Sequence, residues 1–414
     1  MKSNSLESSP VPTSERIASL DIIRGFALFG ILFVNMPLFQ GPRLIEEQYA
    51  ITPELGTVDQ FLRMLLDVFI ETKFFAIFSL LFGVGFYIFM KRAEEKGRNF
   101  KLLYSRRLIV LALFGFLHLV FFWYGDILLR YALSGFLLFF FYKRKEKTIL
   151  LWLASFVVIL IGLLSFSFFG STDSLEQQIS ILSTEGAPKV EEAIYIYNYG
   201  AYYEWLSYRF TNEVIPVLKN IPFAIITSLF YFLIGLYAAQ KGIFINFPLH
   251  KKFIKRVWLY SLLISIPFSV GIIVIHMGVL DFGILNDQLI ESFVLINGLG
   301  LSLFYITTIL LILGKGKWNK LLHPLGYVGR MALTNYIVQT LICVGIFTGF
   351  GIFGGINLRL GIVISFIIFL FQILYSLLWL KYFRFGPLEW IWRSLTYGRF
   401  QHIKLMNEKS KVTS

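Results

Sequence analysis

Runs of about 20 predominantly apolar residues recur ten times along the chain, near 20–39, 66–90, 106–123, 126–142, 149–169, 221–240, 257–278, 290–313, 331–350 and 359–382. This is the length an α-helix needs to cross a hydrocarbon core of roughly 30 Å. No water is available inside lipid, so each run must satisfy its own backbone hydrogen bonds, and a helix does so. Runs this long, without period-two alternation, argue against a membrane β-barrel. The expected fold class is therefore all-α, a polytopic membrane protein with about ten transmembrane helices. Composition agrees: the 414 residues are 57% hydrophobic and only 15% charged, too little charge to cover a soluble domain.

The net charge of +13 raises the question of nucleic acid, and its distribution answers it. Assigning the connections alternately to two sides puts 29 of the 38 Lys and Arg in the N-terminus, in 91–107, 143–147, 241–256 and 315–330, and in the tail from 381. The other side (40–59, 170–218, 279–289 and 351–359) holds only Arg43, Lys189, Arg209 and Arg359. This is the positive-inside pattern, which predicts a cell-membrane protein with both termini cytoplasmic. The basic charge reads as topology, and no nucleic-acid partner is expected. Cys343, the one cysteine, lies inside a span and excludes an intramolecular disulfide or a Cys-based metal cluster. The first apolar run carries charges at its start and lacks a cleavage site, so it reads as a span and not a signal peptide.

Residues 1–15, rich in Ser and Pro, read as a disordered cytoplasmic tail, 16–382 as the transmembrane domain and 383–414 as a cytoplasmic amphipathic tail. The long external segment 170–218 ends in an aromatic stretch containing Tyr195, Tyr197, Tyr199, Tyr202, Tyr203, Trp205 and Tyr208. Such rings suit the headgroup layer, or the roof of a cavity opening outward. In the tail, Gly386-Pro387 breaks the last run, and Trp390, Trp392, Arg393 and Arg399 follow on a short interface helix. Gly83 and Gly85 read as small-residue packing sites. No internal repeat of the transporter kind is evident.

Ionisable and amide groups inside spans are expensive and mark candidate sites. Asp21 and Arg24 share a helix face at i, i+3 and can pair. Asn35 follows Arg24 by eleven residues, which returns to within about 20° of the same direction on a helix. The third run repeats the spacing: His118 follows Arg107 by eleven residues and lies ~16 Å deeper, near the membrane midplane. It is the only one of five histidines deep in a run, and a neutral imidazole there is the natural general base. The alternative is a structural histidine bonded to a neighbouring helix. Asp126 lies just past a turn at Gly125, and Arg130 follows at i+4. The two can form a salt bridge, or Asp126 can orient an imidazole or a substrate hydroxyl. Asn335 and Gln339 share a face in the ninth run, where interhelical bonding is the commoner use. Asp67, Glu71 and Lys73, and likewise Glu291 and Asn297, read as interfacial.

At these motifs the chain resembles a known family. "LDIIRGFALFGILFVN", "KFFAIFSLLFGVGF", "GFLHLVFFWYGDILLRYALSG", "MALTNYIVQT" and "GPLEWIWR" are similar to the YeiB-like bacterial inner-membrane proteins, in order and over nearly the whole chain. More distantly, the start of the first span is similar to the acyltransferase-3 and heparan-glucosaminide acetyltransferase proteins, which move an acyl group from cytoplasmic acyl-CoA to acceptors beyond the membrane. The former carry an arginine and a histidine with ten residues between them in the first span, where this chain has Arg24 and Asn35. The latter share the asparagine but place a histidine eleven residues later, where this chain has Glu46. His118, with its own Arg107, is the candidate replacement on helix geometry.

The functional expectation is a membrane-embedded acyltransferase. Arg24, Arg106 and Arg107, with Asp21 beside them, would hold the phosphates of acyl-CoA. His118 would deprotonate an acceptor hydroxyl, with Asp126 or Asn35 fixing its tautomer. Arg130, Asn335 and Gln339 complete the candidate substrate-binding set. No metal and no bound cofactor are expected; acyl-CoA would be a donor substrate. The expected partners are the lipid bilayer and a small-molecule substrate, with a homo-oligomer left open. The competing expectation is a transporter of a small metabolite or ion that uses the same residues.

Overall fold

A computed structural model describes residues 18–405 except 167, 169–171, 246 and 317. The N-terminal tail read as disordered lies outside the described residues. The chain forms sixteen α-helices among the described residues. In chain order these are α1 (Ala18–Gln40), α2 (Arg43–Gln48), α3 (Thr57–Phe69), α4 (Lys73–Glu95), α5 (Phe100–Phe121) and α6 (Leu128–Leu137). Then come α7 (Glu146–Phe166), α8 (Thr172–Tyr199), α9 (Tyr202–Arg209), α10 (Ile215–Gln240), α11 (Lys251–His276) and α12 (Asn286–Leu313). The last four are α13 (Asn319–Arg330), α14 (Ala332–Phe347), α15 (Leu358–Tyr382) and α16 (Pro387–Tyr397). Among the described residues, eight helical stretches are long and apolar enough to cross a membrane. The protein is an all-α, multi-pass membrane protein.

Among the described residues each of the ten apolar runs coincides with helix, but three are not simple spans, the second straddling the break between α3 and α4 at 70–72. The fourth becomes α6, ten residues long before a tighter turn at Leu138–Phe140. The ninth becomes α14, bent by 79° from α13 at Met331. The break frees backbone carbonyls that lipid could not satisfy. Asn335 answers part of that need by donating to Val328 O at 3.2 Å, and Met331 N–H donates to the same oxygen at 3.0 Å.

Helix α1 is the central post, packed against α4, α13, α14 and α15. Its crossing with α13 is backbone on backbone: a Cβ at Gly25 would lie 1.9 Å from Leu325 O, and one at Gly329 1.9 Å from Asp21 O. Small residues permit such approaches in membranes, where dispersion and close packing replace the hydrophobic effect. Gly83 packs the same way on Phe232, whereas Gly85 meets nothing within 4 Å. By contrast, α7 stands at the rim with only Ile149 buried, as a helix facing lipid nearly all round should.

Of the residues read as interfacial near the second and eighth runs, Asp67, Lys73 and Asn297 are instead internal, whereas Glu71 is part-buried and Glu291 exposed. Lys73 is 0% and Asp67 3% exposed. Asp67 joins Arg63 at 2.8 Å and His276 at 2.9 Å, and Lys73 donates to Asp67 O at 2.6 Å. Asn297 donates to Val68 O and to Ser269 Oγ, both at 3.2 Å. Buried charge persists where it is paired and hydrogen-bonded. The aromatic segment divides: Tyr197, Trp205 and Tyr208 are buried, whereas Tyr195, Tyr199, Tyr202 and Tyr203 are exposed.

Candidate functional site

Helix α5 buries Tyr104, Leu108, Leu111, Gly115 and His118, the three-and-four spacing of one helix face. Gly115 sets how closely α6 can approach that face. A Cβ there would lie 2.1 Å from the backbone nitrogen of Leu129, so only glycine lets the two backbones touch. The contact carries the turn before α6 up against His118. His118 Nδ1 lies 3.0 Å from Asp126 Oδ1, and Nε2 lies 2.9 Å from Thr340 Oγ1 on α14. Asp126 uses its second oxygen to accept the Leu129 N–H at 2.7 Å. An ionised carboxylate only accepts, which assigns the ring proton to Nδ1 and leaves Nε2 to accept from the Thr340 hydroxyl.

Neighbouring groups fix this arrangement. Tyr336, one turn before Thr340, donates its hydroxyl to Gly125 O at 2.9 Å and accepts from Ile127 N–H at 3.3 Å. It thereby pins the turn on both sides of Asp126. Past His118, the last carbonyls of α5 are capped by Arg209, which donates to Leu119 O at 3.1 Å and Val120 O at 3.3 Å. Arg209 is neutralised by Glu213 at 2.8 Å, and Glu213 also accepts from the Tyr197 hydroxyl.

Two cavities approach this cluster from opposite ends of the bundle. The first, of about 210 Å³, lies at the basic end and is lined by Arg24, Arg107, Arg330, Arg393, Tyr104, Tyr131, Tyr336, Glu389 and Trp392, among others. The second, of about 320 Å³, lies at the opposite end and is lined by Glu47, Gln48, Asp126, Arg130, Asn220 and apolar residues of α2 and α10. A single turn divides them. Ile127, Leu128 and Tyr131 face the first cavity, and Asp126, Leu129 and Arg130 face the second. His118 and Thr340 line neither; each is 1% exposed and sits inside the partition.

The basic cavity is floored by α16, which packs against α5 and α14. Arg107 stacks over the Trp392 ring at 3.7 Å, and Trp392 Nε1 donates to Arg107 O at 2.9 Å. Glu389 caps α14, accepting from Leu333 N–H at 2.7 Å, Thr334 N–H at 3.1 Å and Thr334 Oγ1 at 2.6 Å. Burial holds the Glu389 carboxyl above its ordinary range, against the pull of those same hydrogen bonds.

Of the residues singled out in the sequence, His118 and Asp126 meet, and Arg24 and Arg107 share the basic cavity. Asp21 pairs with Arg24 at 2.9 Å. Arg106 is exposed and lines neither cavity. Arg130 forms no ion pair with Asp126; it lies over the Phe75 ring at 4.2 Å and lines the second cavity. Asn35 does not reach His118, whose two ring nitrogens are taken by Asp126 and Thr340. Asn335 and Gln339 lie away from both cavities: Asn335 donates to Ser376 at 2.9 Å and Gln339 to Gln372 at 2.8 Å, tying α14 to α15. Sequence reasoning missed Thr340, Tyr336, Arg330 and Glu389. Tyr336 and Thr340 share a helix face at i, i+4 within "MALTNYIVQT", which was the available signal.

A family model described as a protein of unknown function (DUF418) matches residues 238–399, which take in Tyr336, Thr340 and Glu389. The YxaH protein of Bacillus subtilis (strain 168), described as uncharacterized, is 34% identical over 97% of this chain and 99% of its own length. The YeiB protein of Escherichia coli (strain K12), likewise described as uncharacterized, is 31% identical over 92% of this chain and 96% of its own. The chain belongs to the YeiB-like family. A further relative, a 39.9 kDa protein encoded in the amylase 3′ region of Bacillus acidopullulyticus, is 32% identical over 96% of this chain and 99% of its own. No solved structure matches the chain. Near-full-length likeness to YeiB-like proteins extends the relationship beyond the segment the family model covers.

Proposed function

We propose that this protein is a membrane-embedded acyltransferase that moves an acyl group from acyl-CoA to an acceptor hydroxyl. The observation that carries the reading is the placement of His118: buried in a one-turn partition between two cavities, with Nδ1 on a carboxylate and Nε2 on a hydroxyl. A general base needs one nitrogen fixed and the other on the hydroxyl side; Asp126 fixes Nδ1, and Nε2 faces the Thr340 hydroxyl, whose place an acceptor hydroxyl would take. The basic end, by the positive-inside pattern, faces the cytoplasm, where acyl-CoA is found. Arg24, Arg107, Arg330 and Arg393 suit its phosphates, since guanidinium–phosphate contacts are charge-assisted and strong. The second cavity, mixing carboxylate, amide, guanidinium and apolar walls, suits a hydroxylated acceptor arriving from the other side.

One feature favours a second reading. The partition keeps the two cavities apart, as alternating access requires of a transporter, and the buried His–Asp pair would then serve as a proton relay. Thiol release separates the two. Purified protein in liposomes made from bacterial membrane lipid, given acetyl-CoA or palmitoyl-CoA, is expected to release free CoA and transfer the acyl group to a membrane component. His118→Ala should be inactive. Protein that leaves the thioester intact, yet moves protons or a solute across the liposome, would sink the enzyme reading.

A further inference from the structure

Thr340, which the reading above does not use, stands where a triad places its nucleophile. A hydroxyl lies 2.9 Å from an imidazole nitrogen, the opposite nitrogen lies 3.0 Å from a carboxylate, and that carboxylate's other oxygen accepts a backbone N–H at 2.7 Å. Nucleophile, base and orienting group are recognised by such geometry and not by sequence position. The alternative acceptor for the Thr340 hydroxyl, Tyr336 O one turn back, is 3.5 Å away and weaker. The partition adds an independent argument. A thioester in the basic cavity and an acceptor in the other are separated by the turn carrying Ile127 and Asp126. A group inside the partition that first takes the acyl group and then yields it removes the need for both substrates to occupy one space.

We infer that Thr340 is an acyl-carrying nucleophile and that the protein works by a two-step, covalent relay; this rests on the acyltransferase reading. In the first half, the Thr340 O–H gives its proton to His118 Nε2 and its oxygen bonds to the thioester carbonyl carbon. The carbon–sulfur bond breaks, and the departing CoA thiolate takes the proton from the imidazolium. The chain then carries an ester on Thr340. In the second half, the acceptor hydroxyl gives its proton to Nε2 and its oxygen attacks the ester carbonyl. The bond to Thr340 Oγ1 breaks, and that oxygen recovers the proton. Asp126 holds the imidazolium in each half and is not itself protonated.

The test needs no knowledge of the acceptor. A covalent relay exchanges radiolabelled CoA into unlabelled acetyl-CoA with no acceptor present, because the first half reverses on its own. Wild-type protein in liposomes is expected to catalyse this exchange. After acid quench it should carry one acetyl group, released by hydroxylamine and mapped to the peptide containing Thr340. Thr340→Val, which keeps the volume, and Thr340→Ala should lose exchange and label by about 100-fold or more. Thr340→Ser should retain both, which a merely structural hydrogen bond would not require. If acetyl groups reach a membrane acceptor with no exchange and Thr340→Val transfers like wild type, or if the label maps to His118, the relay through Thr340 is overturned while the acyltransferase reading stands. If neither exchange, transfer nor CoA release occurs with acetyl-CoA or palmitoyl-CoA, both are overturned.

Discussion

At the residue scale, His118 should matter more to chemistry than to folding. Truncating it to alanine leaves Asp126 and Thr340 short of a partner, which costs about 1–3 kcal/mol per buried group. Removing a general base costs on the order of 10²–10⁴ in rate. His118→Ala is therefore expected to lower the melting temperature modestly and to abolish CoA release per folded molecule; a purely structural histidine would reverse that pattern. Asp126→Asn keeps the shape but can donate to Nδ1, which favours the wrong tautomer, so activity should fall with little loss of stability. That Arg107 and His118 lie on one stripe of α5 was legible because an eleven-residue spacing is a property of one helix. Thr340 was not, since it lies 222 positions from His118 and only the tertiary fold brings the two side chains together. Asn35 shows the converse: a correct helical stripe says which way a side chain faces but not which neighbour has already taken the nitrogen it would reach.

At the scale of elements, the close approach of α5 and α6 builds the site, and Gly115 permits it. Gly115→Val should force the backbones apart, lowering stability by about 1–3 kcal/mol or more and uncoupling His118 from Asp126. Gly162→Ala in α7, where an added Cβ meets nothing within 4 Å, is the matched control and should leave the melting temperature unchanged or slightly raised. Differential scanning fluorimetry in detergent reads both. Helix α16 makes the second case. Glu389→Ala would orphan the N–H groups of Leu333 and Thr334, so it should lower stability and make the chain after Phe385 more susceptible to limited proteolysis. Read alone, "GPLEWIWR" is an amphipathic helix and no more. Its role as the floor of a cavity depends on partners 55 and 285 residues away, the capped Thr334 and the stacked Arg107. Hydropathy located α6 and α14 but missed the shortness of one and the 79° bend beside the other, because it measures apolarity and not helical continuity.

For the molecule as a whole, Cys343 is fully buried, which makes the natural chain a quiet background for accessibility mapping. Cysteines introduced at the exposed positions Lys145 and Glu185 should react with an impermeant maleimide from opposite sides of the membrane. Labelling of both from one side would overturn the proposed topology. The fold class was legible because twenty-residue apolar runs admit few folds, and the proposed sidedness because basic residues cluster in alternate connections. The burial of Asp67 and Lys73 was not, since a charge at the end of an apolar run looks alike whether it meets water or a partner on another helix. The proposed division of labour between a basic donor cavity and a base in the partition is tested most directly by titrating acetyl-CoA and palmitoyl-CoA into purified wild-type, Arg107→Ala and His118→Ala protein, calorimetrically and at two salt concentrations. Wild type and His118→Ala are expected to bind alike, with only wild type transferring the acyl group. Arg107→Ala should bind more weakly, by a margin that shrinks at higher salt as screening weakens the phosphate contact. Wild-type protein that binds neither acyl-CoA, or His118→Ala protein that transfers the acyl group at the wild-type rate, would contradict it.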